Sequence, residues 1–527
     1  MKEISNKLII LLGISIASFV FFYLYQFSIP YEDASILFSY AENLANTGII
    51  SYFPNGSPAE GATDFLFMIM ISILFKLGIP TYFGTILLNF FGALLAIFAF
   101  KKLFPKQNWL FLLSTILFLI LPQMIAGLLG YGTIFYAGIT ITLVVFFIQK
   151  KTRLFFLFCL LHFLIRPIEG FVAISFCFFY LFKTKSDLSS NQTYKQSFIY
   201  FLSPIIVFWI WRTYYFGHLF PLPYYIKTNF EKWLFVFNKD AIYFQYKLLV
   251  PFSISLALLL VSSFVSKPKP SLDFLGICFS LIILPILMYS TADLDMNFAL
   301  RYQTLPFLGV LILGLFCLKE STIFLFLFLI TFSIPLIKLS TDQWLRAREF
   351  NWNNMYFVGQ EIYKSNNGEG RLATTESGIL PWQTKMTSID LWGLNSPNLA
   401  QKLPSTEELI AFNPDIIVIH PKNDDIKFLE KHMTEKVARK NWENMTLVAF
   451  QYASDTSKYS AFLVPYDLRS YDSNYKHPWF SQILNSRYGI ASFSNRRDLF
   501  FIKKEFEHYS KTIKILEHYG STTYKQL

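Results

Sequence analysis

The 527-residue chain is 54% hydrophobic and only 15% charged, with 60 Phe, which excludes a soluble globular protein wrapped in a charged shell. Its net charge of +11 does not read as a nucleic-acid footprint, because the lysines gather in short segments between apolar runs, as in cytoplasmic loops. Cys159, Cys177, Cys278 and Cys317 all lie inside apolar runs and form no disulfide framework.

Lys2 and Lys7 precede an apolar run over 8–27. It is too long for a typical signal-peptide core and no small-residue cleavage site follows, so an uncleaved first crossing is expected, leading outward. Tyr31 then lies outside. Further along, Lys and Arg cluster at 101–106, 150–153, 183–195 and 267–269, with Lys319 alone. Placing every cluster inside requires an even number of crossings in each gap. The apolar runs supply pairs broken at "QMIAGLLGYG", at "RPIEG", at an outer loop within 197–265 and at "STADLDMNFALRY", and a last crossing falls within 322–337. The segment 65–79 carries Lys76 and reads as an amphipathic helix in the outer interface. The expectation is a polytopic α-helical membrane protein with about eleven transmembrane helices. Its membrane domain spans 1–337, with a first outer loop over 29–81.

Residues 338–527 hold more than half of the acidic residues and no spanning run. "PDIIVIH", "TLVAF" and "SAFLVPY" read as strands between helical stretches, so a soluble α/β domain outside the membrane is expected. Under this topology the polar, Gly/Pro-punctuated stretches all meet the outer face, which is where a site is expected. Glu32 and Asp33 stand there, at the mouth of the first crossing. They are either a hydrated helix end or a catalytic pair, since a carboxylate so placed can take a proton from an attacking hydroxyl. His162, inside an apolar run, reads as a packed helix residue.

The stretch "YEDASILFSYAENLANTGIISYFPNGSPAEGATDFLF" resembles the first outer loop of GT-C fold glycosyltransferases, and most of all the group of the mycobacterial terminal arabinofuranosyltransferase. Asp33, Ile36, Tyr40, Ala41, Asn43, Leu44, Gly48, Asn55, Gly56, Glu60, Gly61, Thr63 and Leu66 occupy matching places. "LIRPIEGF", "WRTYYFGHLFPLPYYIK", "DLDMNFALRYQTLP" and "SGILPWQTKMTSIDLWGLNSP" resemble later segments of the same family, in order. The chain departs from the pattern at Glu32, where the family has Asp, at Gly132, where relatives often have Glu, and at Leu222–Pro223, where they have Asn-Thr.

The resemblance implies an inverting glycosyltransferase of a bacterial cytoplasmic membrane. Its donor would be a polyprenyl-phosphate-linked sugar, with arabinofuranose the sugar suggested, and its acceptor a cell-envelope glycan or glycolipid. Asp33 would be the base, with Glu32 in reserve. Arg301, Lys227, Arg166 and Arg212 are the outer-face cations for the donor phosphate, or else they snorkel to lipid headgroups. Tyr40, Asn43, Glu60, Glu169, Tyr225 and Asp295 are the expected substrate-binding residues, with Glu169 the natural partner of Arg166. No cofactor and no metal ligand set is expected, and the resemblance leaves a divalent metal open. The expected partners are the lipid-linked sugar, the acceptor and membrane lipid, and no nucleic acid. A lipid-linked polysaccharide polymerase or ligase is the alternative enzyme. A transporter or flippase fits less well, since transporters bind near mid-membrane.

Overall fold

The computed structural model describes residues 2–26, 28–184, 190–227, 237–265, 271–292, 297–318, 322–350, 353–400, 405–421, 426–433, 442–466 and 497–524. Among them seven helices are long and apolar enough to cross a membrane: Thr81–Leu103, Pro167–Thr184, Asn191–Phe216, Lys239–Leu259, Leu272–Tyr289, Phe298–Phe316 and Ile323–Trp344. Five shorter apolar helices accompany them: Lys7–Tyr23, Phe65–Lys76, Asn108–Leu119, Thr133–Ile148 and Thr152–Ile165. Each crossing expected from the lysine pattern falls on one of these helices. The remaining one, Phe65–Lys76, is the segment read as interfacial. The short helices are short for local reasons. Pro122 follows Asn108–Leu119, a Gly130–Gly132 turn precedes Thr133–Ile148, and Pro167 stops Thr152–Ile165 from two residues beyond its end.

The chain divides into two compact units, 1–28 with 63–220 and 227–345, and 29–62 with 221–226 and 346–527. In the first unit, breaking a buried helix frees backbone groups that must find partners. Asn89, fully buried, supplies them at the "GLLGYG" break. Its Nδ2 donates to the carbonyls of Thr85 (3.0 Å), Gly127 (3.2 Å) and Tyr131 (2.8 Å), and its Oδ1 accepts from the N–H of Ile134 (3.2 Å) and Phe135 (3.1 Å). Just below, two helices touch backbone to backbone. A Cβ on Gly92 would stand 2.4 Å from the Phe135 Cα, and one on Gly138 would stand 2.1 Å from the Gly92 carbonyl oxygen. Asn89→Leu is therefore expected to strand several backbone groups at once and to cost about 3 kcal/mol or more, at roughly 1–3 per buried group. Thermal unfolding of the detergent-solubilised protein measures this, and an unchanged Tm would show that the break is held by other contacts.

Among the described residues the sheet of the second unit has six strands: β1 (Arg371–Thr374), β2 (Thr387–Asp390), β3 (Ile416–Ile419), β4 (Tyr459–Pro465), β5 (Arg497–Lys503) and β6 (Thr522–Thr523). Their order is β2-β1-β3-β5-β4-β6. β1 pairs parallel with β2 and β3, while β5 pairs antiparallel with β3 and β4, and β6 antiparallel with β4. Alternation sends Leu372, Ile416, Val418, Phe500 and Ile502 to one face, against helices Asn354–Asn366, Ile379–Thr384 and Tyr509–His518. Ala373, Ile417, Ile419, Leu499 and Phe501 go to the other, against Thr406–Phe412, Ile426–Lys431 and Trp442–Ala453. "PDIIVIH" and "SAFLVPY" form β3 and β4 as expected. "TLVAF" does not form a strand: it lies within the helix Trp442–Ala453. Five consecutive apolar residues fit either state, and the 12-residue helix around them covers one face of the sheet with Leu447, Val448 and Phe450.

The first outer loop is shared between the units. Its part over 29–62 packs within the second, whereas helix Phe65–Lys76 belongs to the first.

Candidate functional site

In the first unit the structure gathers three of the residues that the sequence singles out. Pro167 ends the helix before it, Arg166 takes an extended conformation, and Pro167–Glu169 forms one 3-10 turn. Arg166 and Glu169 thus project from a helix break, and both are buried. Arg166 Nε donates to Asp64 Oδ1 (3.1 Å) and Nη1 to Glu169 Oε1 (3.0 Å), with a longer bond to the Arg301 carbonyl (3.3 Å). Its guanidinium lies over the Tyr136 ring at 5.1 Å. The Tyr289 hydroxyl donates to Glu169 Oε1, and the Tyr289 ring stacks on Tyr302 at 4.6 Å.

Arg301 comes from an unusual segment. Ala299 (φ 50°, ψ 26°) and Leu300 (φ 54°, ψ 37°) are consecutive left-handed residues without being glycine, a conformation that costs energy and persists only when its surroundings dictate it. The dictating side chains are polar and buried. Gln123 Nε2 donates to the Leu300 carbonyl (2.9 Å), Gln343 Oε1 accepts from the Ala299 N–H (3.1 Å), and Asn297 Oδ1 accepts from the Tyr302 N–H (3.1 Å). The turn sets the Arg301 guanidinium 4.4 Å from the Tyr131 ring centroid and 5.0 Å from that of Tyr302, with Nη2 donating to the Tyr302 hydroxyl (3.1 Å). Strain stored beside a buried cation marks a site where position matters more than stability.

Arg212 is also fully buried, but it holds structure: Nη1 donates to the carbonyls of His218 (3.3 Å) and Leu219, and the guanidinium lies 4.9 Å from the Trp209 ring centroid. It pins the turn that follows Gly217, where φ is +73°. Lys227 closes the short helix Leu222–Lys227 and is half-buried. His162 packs against Tyr136 at 4.6 Å, buried as expected. Asp295 lies outside the described residues.

In the second unit, Glu32 and Asp33 form the first turn of helix Glu32–Thr47. Glu32 is occupied: Oε1 accepts from the N–H of Gly378 (2.7 Å) and Ile379 (3.1 Å), capping the start of helix Ile379–Thr384. Gly378 is obligatory there, since a Cβ would stand 1.7 Å from the Glu32 carbonyl oxygen. Ten residues on, Glu42 Oε1 accepts from the Trp382 indole (2.8 Å) and Oε2 pairs with Lys385; burial pushes the Lys385 ammonium down while Glu42 opposes the shift. Asn43 Nδ2 donates to the Ser51 carbonyl (2.9 Å). The Tyr40 hydroxyl accepts from the Gly61 N–H (3.0 Å) and donates to Asn395 Oδ1 (3.2 Å); burial raises its pKa far above the usual phenol value. Asn395 in turn donates to Asp390 through its N–H (2.9 Å) and Nδ2 (3.0 Å). Asp390 is buried, and that burial pushes its carboxyl up. Glu60 is buried, and its carbonyl accepts from the Leu222 N–H (3.0 Å), tying 60 to the segment that carries the half-buried Tyr225. Tyr40, Asn43 and Glu32 thus each make hydrogen bonds that hold the loop.

Asp64, Tyr136, Tyr289 and the glutamines Gln123 and Gln343 were not marked by sequence reasoning. Asp64 closes the outer loop, and its polar character ahead of an apolar helix was the available signal. The others reach their places through contacts that no local pattern carries.

The fold is a polytopic helical membrane fold of the GT-C type with a C-terminal α/β domain. Two crystal structures of ArnT from Cupriavidus metallidurans are similar to the chain. The one in the apo state gives a TM-score of 0.51 and the one bound to undecaprenyl phosphate 0.50, each at 11% sequence identity and covering 82% of this chain and 96% of that one. At that identity the likeness is one of fold. Residues 346–474 match a family described as a domain of unknown function (DUF8728). No curated protein matches the chain in sequence.

Proposed function

We propose that the protein is an inverting glycosyltransferase that moves a sugar from a polyprenyl-phosphate donor to a hydroxyl of a cell-envelope glycan or glycolipid, at the outer face of a bacterial cytoplasmic membrane. The observation that supports it most is the strained turn that presents Arg301 within the aromatic and carboxylate cluster of the first unit, in a fold similar to that of a protein crystallised with undecaprenyl phosphate. The acceptor oxygen forms a bond to the anomeric carbon as the bond from that carbon to the phosphate oxygen breaks. Asp33 takes the hydroxyl proton, and polyprenyl phosphate leaves with the electron pair. Arg301, helped by Lys227, bears the negative charge that develops on the departing phosphate. Arg166, already bonded to Asp64 and Glu169, positions the turn through the Arg301 carbonyl. Arabinofuranose is the sugar favoured by the sequence resemblance.

The test is transfer by the purified protein in proteoliposomes, offered polyprenyl-phosphate-linked arabinofuranose, mannose, glucose and galactose with membrane glycolipid as acceptor. Consumption of one donor with release of polyprenyl phosphate is expected. Use of diphosphate-linked oligosaccharides only would make it a polymerase or ligase. Lipid translocation without transfer would make it a flippase.

A further inference from the structure

The second unit holds a polar cluster at the carboxyl ends of β1 and β3 that none of the roles assigned above uses. In the sheet order β2-β1-β3 the chain leaves β1 for β2 on one side and then crosses to β3 on the other. The first connection carries helix Ile379–Thr384 on one face of the sheet, and the second carries Thr406–Phe412 on the opposite face. The carboxyl ends of β1 and β3 therefore part at a topological switch point, where open α/β sheets bind ligands. The end of β2 is closed: Asp390 there accepts from the Trp392 N–H (2.9 Å) and from Asn395. The loop after β1 is partly held, with the Ser377 carbonyl accepting from the Tyr52 hydroxyl (2.6 Å) and Gly378 bonded to Glu32.

The end of β3 is different. His420 follows its last residue, and the imidazole Nδ1 is 3.0 Å from Asp498 Oδ1, a fully buried carboxylate at the start of β5. The His420 N–H donates to Thr375 Oγ1 (2.9 Å), which joins the ends of β3 and β1. The His420 side chain keeps 18% of its surface open, and Glu376, the next residue after Thr375, is half-exposed. From Thr375 to Gly378 is three peptide steps, at most about 11 Å, and Gly378 is the residue to which Glu32, neighbour of Asp33, is bonded. An imidazole fixed by a buried acid and the Glu376 carboxylate thus stand beside the stretch of loop leading to the Asp33 helix.

We propose that the switch point at which His420 and Glu376 reach the surface, with Asp498 holding the imidazole and Thr375 the His420 backbone from within, is a crevice that binds the sugar rings of the acceptor next to the one that reacts. Its chemistry suits a neutral, polyhydroxylated ligand. The imidazole held by Asp498 and the Glu376 carboxylate offer the directed hydrogen bonds that ring hydroxyls take. The proposal deepens the glycosyltransferase reading and rests on it for the identity of the reaction, but not for binding.

The test measures saturation transfer to neutral trisaccharides of arabinofuranose, mannose, glucose and galactose on the full-length protein in detergent, with undecaprenyl phosphate binding measured alongside. At least one trisaccharide is expected to bind, and His420→Ala to weaken it about tenfold. His420→Gln is expected to recover part of the loss, and neither variant to change undecaprenyl phosphate binding. In transfer assays His420→Ala should raise the acceptor KM and leave kcat near wild type. If no trisaccharide binds the wild type, or if one binds His420→Ala and Glu376→Gln as well as wild type, the proposal fails. If trisaccharides bind as expected but no donor is consumed, the crevice stands and the transferase reading falls.

Discussion

Asp33→Asn is expected to lower turnover by about 10²–10⁴, the usual contribution of a positioned general base, while leaving the fold and donor binding in place. Two adjacent acids open helix Glu32–Thr47, and the structure separates them. Glu32 accepts two backbone N–H groups at the start of another helix, so its loss registers as stability. Glu32→Gln keeps an acceptor oxygen and gives up the charge-assisted part of those bonds, about 1 kcal/mol. Asp33, one residue on, is half-buried, and the proposed reaction makes it the base. Single-turnover transfer and thermal unfolding of both variants distinguish the roles. Near wild-type transfer by Asp33→Asn, or a collapse in turnover for a folded Glu32→Gln, would exchange them.

Arg301→Ala is expected to cost about 10²–10³ in the single-turnover rate, the scale of removing one donor from a site of developing charge, and to weaken undecaprenyl phosphate binding. Arg301→Lys should recover part of each, because an ammonium matches the charge but not the paired donors of a guanidinium. The neighbouring Arg166 gives the contrast. It is buried between two carboxylates, so removing it leaves uncompensated charge and costs about 3–5 kcal/mol. Arg166→Ala should therefore be read out as lost stability, and Arg301→Ala as lost binding and rate in a folded protein. If Arg301→Lys matches wild type in both, Arg301 only snorkels.

Much of this architecture was legible because length and hydropathy dictate it. Apolar runs near the thickness of a bilayer fold as helices, and Pro167 and the Gly130–Gly132 turn mark their breaks without help from distant residues. The strands over "IIVI" and "SAFLVP" follow from β-branched and aromatic runs between turn residues. "TLVAF" was misread because an apolar run without alternation carries no period. The site was legible only in part. The pairing of Arg166 with Glu169 is three residues long, whereas its pairing with Asp64 bridges 102 positions. The left-handed pair at Ala299–Leu300 contradicts local preference, and the buried amides of Gln123 and Gln343 that enforce it come from distant helices. The capping role of Glu32 was not legible because its partners are backbone groups 346 and 347 residues away.

The central claim is that Arg301 and its turn receive the phosphate of a polyprenyl lipid. Electron cryo-microscopy of the protein in nanodiscs with undecaprenyl phosphate tests it most directly. Phosphate density is expected within hydrogen-bond distance of the Arg301 guanidinium and is expected to be lost in Arg301→Ala. Phosphate density resting on other cations, with Arg301 turned from it, would contradict the account.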